Sequence, residues 1–112
     1  CEATSAWSLP NAVEVDVSSE RLYAANTALR GCASSTGTLS ARLRGSTVDG
    51  IGAQVVIALG TTNLWEGFVT DPIELELDVP HAGTMLIAFV NDRYEPPEDR
   101  NLWISDVVFT PR

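Results

Sequence analysis

Apolar and polar residues alternate with a period of two over several stretches of this chain. Ile73, Leu75, Leu77 and Val79 alternate with Glu74, Glu76 and Asp78. Leu39, Ala41 and Leu43 alternate with Ser40, Arg42 and Arg44, and Val13, Val15 and Val17 with Glu14 and Asp16. A strand points successive side chains to opposite faces, so each stretch predicts a half-buried strand. Ala53 to Leu59 and Met85 to Val90 are nearly continuous apolar runs and read as buried strands, as does Leu102 to Phe109. Leu64 to Val69 leads outward from a Thr61-Thr62-Asn63 turn, and Gly45-Ser46, Asp49 to Gly52 and Pro80 to Gly83 punctuate the rest. Seven or eight short strands at this spacing predict an all-β protein, a single antiparallel β-sandwich of jelly-roll-like form over residues 1–112.

Two segments carry weaker patterns. Ser18 to Gly31 has two readings: Ser19 caps a short helix within residues 19–30, through Leu22, Ala25 and Leu29 to a stop at Gly31, or the stretch is irregular strand and loop. Ala33 to Gly37 is polar and reads as the least structured linker. Near the start, Ala6-Trp7-Ser8-Leu9 is a short apolar piece with Trp7 in the core.

Charge and length narrow the partners. At 112 residues with a formal net charge of -8, the chain is long enough to bury its own core and too acidic to favour nucleic acid or anionic membranes. An acidic surface suits neutral polysaccharides and divalent cations. No apolar run reaches the roughly 18 to 20 residues of a membrane span, so no membrane insertion is expected. The sequence opens on Cys1 rather than Met, which reads as an upstream segment removed.

Cys1 and Cys32 admit two readings. A disulfide between them closes a loop of about 30 residues and stabilises by roughly 3 to 4 kcal/mol on the chain-entropy argument. Alternatively Cys1 is the lipid-bearing first residue of a lipoprotein and Cys32 a small buried hydrophobe. Both place the protein outside the reducing cytosol, secreted, at the cell surface or in a periplasm.

The candidate chemistry lies between the last two apolar runs, in Val90-Asn91-Asp92-Arg93-Tyr94-Glu95-Pro96-Pro97-Glu98-Asp99-Arg100-Asn101. Asp92 closes one strand, Asp99 opens the next, and Pro96-Pro97 stiffens the turn without offering amide donors. Carboxylates brought together there need positive charge. A calcium ion answers that need, since it takes carboxylate and carbonyl oxygens in flexible geometry; Arg93 and Arg100 are the competing answer, as solvated or salt-bridged surface charges. Counting from Asp92 puts Tyr94, Pro96 and Pro97 where an EF-hand needs oxygen donors and glycine, which excludes that motif. Asn91 and Asn101 read as residues that shape the loop.

Phe89-Val90-Asn91-Asp92 followed by Asp99-Arg100-Asn101-Leu102-Trp103-Ile104-Ser105-Asp106-Val107-Val108-Phe109 resembles the signature of calcium-dependent xylan-binding carbohydrate-binding modules, families 36 and 60. The resemblance implies that this strand-loop-strand binds one calcium, anchored by Asp92 and Asp99 with the backbone carbonyl of Glu98. The metal then completes its shell with vicinal sugar hydroxyls. Pro96-Pro97 and a slightly longer loop depart from the family pattern. Tyr94 and Trp103 are the nearest aromatic platforms, Trp103 being equally a core residue. Trp65 is a second platform or a core residue, and Arg93 is a further sugar contact. The resemblance implies a monomeric module attached to a larger enzyme or surface protein. The alternative is a structural or adhesive domain in which calcium only rigidifies the 92–99 loop.

Nothing in the sequence points to catalysis. The single histidine, His81, lies in a Pro-His-Ala-Gly turn, and no nucleophile elbow or phosphate loop occurs. A glycosidase pair drawn from Asp92, Glu95, Glu98 and Asp99 is crowded on one loop and leaves no cleft between the acids.

Overall fold

The computed structural model describes residues 21–112. Its strands in chain order are β1 (Arg21–Tyr23), β2 (Thr27–Ala33), β3 (Gly37–Gly45), β4 (Ala53–Leu59), β5 (Thr62–Val69), β6 (Ile73–Val79), β7 (Gly83–Phe89), β8 (Arg93–Glu95), β9 (Glu98–Arg100) and β10 (Leu102–Pro111). Two four-stranded antiparallel sheets face each other, ordered β1-β10-β3-β6 and β2-β7-β4-β5, and β8 and β9 form a separate two-stranded ribbon. This is the β-sandwich that the alternating pattern predicts, with ten strands where the sequence suggested seven or eight.

The period-two pattern decides which side chains meet. Across β3 and β6, Leu39 lies opposite Leu77 and Ala41 opposite Leu75, so the apolar set of both strands falls on the inner face while Arg42 and Glu74 pair on the outer one. On the second sheet Val55 and Ile57 of β4 lie opposite Phe89 and Ile87 of β7, all essentially inaccessible. Each such side chain contributes on the order of 1.5–3 kcal/mol through burial. In β10 the inward set changes parity, from Leu102 and Ile104 to Val107 and Phe109, and a bulge between Ser105 and Val108 absorbs the shift with Asp106 at φ 53°.

Two expectations are corrected. The segment read as a possible helix over residues 19–30 contains β1 and the start of β2, and there is no helix among the described residues. Pairing overrides the weak helical spacing: Leu29 points inward opposite Ile87, and Arg30 points outward opposite Leu86. The linker read over Ala33 to Gly37 shrinks to Ser34–Thr36, because Ala33 ends β2 and Gly37 begins β3. The Val13–Val17 strand, Trp7, the Ser19 cap and Cys1 lie outside the described residues. Cys32 is buried on β2, and no cysteine among the described residues is free.

The backbone is pinched together at one end of the sandwich. A Cβ at Gly45 would lie 2.4 Å from the Val69 carbonyl oxygen, and one at Gly52 would lie 2.3 Å from the same atom. Only residues without a side chain permit that approach. The β8–β9 ribbon is mounted at this end, because the amide of Ser46, next after β3, donates to the carbonyl of Asn101 at 3.1 Å.

Candidate functional site

The acidic segment is a ribbon rather than a loop. Arg93 lies opposite Arg100, Tyr94 opposite Asp99 and Glu95 opposite Glu98, with Pro96-Pro97, joined by a cis peptide bond, at the tip. Cross-strand partners share a face and neighbours alternate. Tyr94 and Asp99 therefore belong to one face, and Arg93, Glu95, Glu98 and Arg100 to the other; carried one residue past the ribbon, the same alternation puts Asp92 and Asn101 with Tyr94 and Asp99.

The second face is occupied by internal pairing. Arg93 forms an exposed ion pair with Glu95. Arg100 is only 6% exposed, and the reading of it as a solvated or salt-bridged surface charge is corrected. Its guanidinium donates from Nε to the Ile51 carbonyl at 2.9 Å, from Nη1 to that of Asn91 at 2.8 Å and from Nη2 to that of Val48 at 2.9 Å. A planar fork of donors suits three converging carbonyls, and hydrogen bonds from a charged donor are the strong kind. The sequence held one signal for this: Arg100 shares the parity of Leu102 and Ile104, the inward residues of β10. Glu98 Oε1 accepts a long contact from the Asp49 amide at 3.5 Å, so its side chain belongs with this face.

No ion pair to Asp92 or Asp99 is formed among the described residues, and the side chains of Arg93 and Arg100 are engaged on the second face. The amide of Asp92 donates to Asn26 Oδ1 at 2.7 Å, whereas Asp92 Oδ1 is buried with no hydrogen-bond partner. Asn101 Oδ1 is buried and unpartnered as well. Asp99 is exposed, and its Oδ2 accepts from Asn101 Nδ2 at 3.1 Å. Ser46 Oγ ties this strand down, donating to the Asp99 carbonyl at 2.6 Å and accepting from the Asn101 amide at 2.8 Å. Asn91 shapes the approach to the ribbon, with Oδ1 accepting from the Gln54 amide at 2.7 Å and Nδ2 donating to the Gly52 carbonyl at 3.0 Å.

Among the described residues no three His, Cys, Asp or Glu side chains gather as a metal cluster. The ribbon register explains this, because Glu98 is turned away from Asp92 and Asp99. An oxygen site on the first face therefore draws on Asp92, Asp99, the carboxamide of Asn101 and backbone carbonyls. Orphaned acceptor oxygens are what a hard cation requires, and the residues present fit calcium in donor type.

The aromatic residues differ in availability. Tyr94 is 67% exposed on the acidic face of the ribbon. Trp103 lies outward on β10, between Leu22 and Arg44 in the sheet, with the Arg44 guanidinium carbon 4.1 Å from its ring centroid. Trp65 is half-buried against the core and lies close over Gly67, where a Cβ would come within 2.9 Å of its ring. Two surface grooves of about 470 Å³ each lie elsewhere, on the first sheet around Arg42 and Glu74. They are shallow, share the Arg42–Glu74 ion pair and contain no orphaned polar atom, so the ribbon is the better candidate. No protein-family model matches this chain, and no curated protein matches it.

Proposed function

We propose that this domain is a non-catalytic, calcium-dependent binder of a β-linked polysaccharide, with xylan as the first substrate class, and that the acidic face of the β8–β9 ribbon is its site. The observation that carries the reading is the buried Asp92 Oδ1, which has no hydrogen-bond partner, beside a ribbon whose Asp92 and Asp99 form no ion pair among the described residues. The resemblance of residues 89–109 to calcium-dependent xylan-binding modules supplies the substrate class. When bound, calcium supplies coordination positions that vicinal sugar hydroxyls fill in place of water. The chain's own part is to hold oxygens rigidly: Ser46 fixes the backbone of Asp99 and Asn101, Asn26 fixes that of Asp92, and Arg100 ties the ribbon to the 48–51 turn. Tyr94, exposed beside Asp99, offers an apolar face to a pyranose ring, and Trp103 and Arg93 are further contacts of the same reading. The backbone carbonyl of Glu98 remains a proposed ligand.

The same reading places the domain in a secreted or surface-attached protein, monomeric and joined to a larger enzyme or surface protein, with Cys32 paired to Cys1. Extracellular calcium is abundant enough for a weak site.

A structural role for the metal is the second reading, favoured by the burial of the two orphaned oxygens. Affinity electrophoresis on xylan, cellulose, galactan and mannan, with calcium and with a chelator, separates the two. Retardation on xylan that vanishes with chelator supports the sugar site. Calcium-dependent stabilisation with no retardation on any polysaccharide supports the structural role, and retardation indifferent to chelator refutes the metal mechanism.

A further inference from the structure

We infer that the inner side-chain oxygens of the proposed calcium site are Asp92 Oδ1 and Asn101 Oδ1, and that Asp99 is a positioning residue for Asn101 rather than the second anionic ligand. This rests on the calcium reading and departs from the ligand pair that the sequence suggests.

Continuing the ribbon register from Tyr94 opposite Asp99 brings Asp92 opposite Asn101 on the same face. Both residues are fixed through their backbones, Asp92 by Asn26 and Asn101 by Ser46. The carboxamide of Asn101 has one favourable orientation: Nδ2 donates to Asp99 Oδ2 at 3.1 Å, and the flipped amide would set oxygen against carboxylate. Asp99 thereby directs Asn101 Oδ1 away from itself, to where that atom is buried without a donor. Asp92 Oδ1 is in the same condition. An ionised carboxylate and an amide oxygen are both acceptors, so neither satisfies the other. A cation answers both, as does a water donating one hydrogen to each, and the variants below separate the two.

The donor set specifies the cation class. Both atoms are oxygens, with no nitrogen or sulfur ligand, which selects a hard ion of the calcium type over zinc or copper. Only one of the two residues carries formal charge, and affinity in oxygen sites follows the charge count. The site is accordingly a weak one, and Asn101→Asp should tighten it.

The test is isothermal titration of calcium chloride into the intact chain and into variants, each first shown to unfold cooperatively in chelator. The expected result is that the unsubstituted chain binds, Asp92→Asn abolishes binding and Asn101→Ala weakens it by about tenfold or more. Asp99→Ala should weaken it by about tenfold, as loss of an outer-shell partner does, while Asp99→Asn restores it to within about threefold because its side-chain oxygen still accepts from Asn101. A loss in Asp99→Asn as large as that in Asp92→Asn would make Asp99 a direct ligand and overturn the assignment. So would unchanged binding in Asn101→Ala, the result expected if a water bridges the two oxygens. Absence of binding by the unsubstituted chain would refute the calcium reading itself, a separate outcome.

Discussion

Asp92→Asn should stabilise the metal-free protein. Asp92 Oδ1 is buried and accepts from no protein group, and an unsatisfied buried acceptor costs about 1–3 kcal/mol, more where it is charged. Only one oxygen of the carboxylate is in this condition, so a gain of about 1–2 kcal/mol is the expected size. Asparagine keeps the shape, removes the charge and supplies an NH₂ that can donate toward Asn101 Oδ1, the other orphaned atom. The backbone bond from residue 92 to Asn26 is untouched by the change. Urea unfolding in chelator should therefore move the midpoint up by about 1 M at unchanged slope, for a slope of about 1–2 kcal/mol per M. Adding calcium should reverse the ranking. At a hundredfold excess over its dissociation constant the ion stabilises the unsubstituted chain by about 2.7 kcal/mol and leaves Asp92→Asn unmoved. A variant less stable than its parent in chelator, or one that calcium stabilises as much as its parent, would refute the reasoning.

Arg100→Met should cost at least about 3 kcal/mol, because three hydrogen bonds from a charged donor are lost and the carbonyls of Val48, Ile51 and Asn91 are left unpaired; chemical denaturation measures it. Gly52→Ala should destabilise by about 1–3 kcal/mol, since its Cβ would meet the Val69 carbonyl oxygen at 2.3 Å and the backbone must part; the thermal midpoint reports it. The proposed Cys1–Cys32 pairing predicts that alkylation of the unfolded chain labels neither cysteine before reduction and both after it, read by intact mass, and that the disulfide contributes roughly 3 to 4 kcal/mol.

Much of the framework was legible because it rests on burial. Strict alternation at Ile73 to Val79 coincides with β6, and the apolar run Ala53 to Leu59 coincides with β4, which has a strand on either side in its sheet. The short β1 was missed, because three residues at a sheet edge carry too little pattern to outweigh helical spacing. The ribbon was missed for a different reason. Both its faces are polar or charged, so no alternation of hydrophobicity marks its strands, and Pro96-Pro97 reads as a loop. Asp92 and Asp99 were visible as an acidic pair, but their unequal surroundings, one oxygen buried and one side chain exposed, arise from the register with Tyr94 and Asn101. Arg100 was misread because charge commonly signals the surface; only its parity with Leu102 pointed inward.

The ribbon belongs to neither sheet, and its tip, from Tyr94 through Asp99, is largely open to solvent. Its anchorage is polar and sits at its base, in Ser46, Asn91 and Arg100. Tip residues are therefore uncoupled from the hydrophobic packing that keeps the domain folded. Substitutions at residues 94–97 should accordingly leave the packed scaffold largely undisturbed.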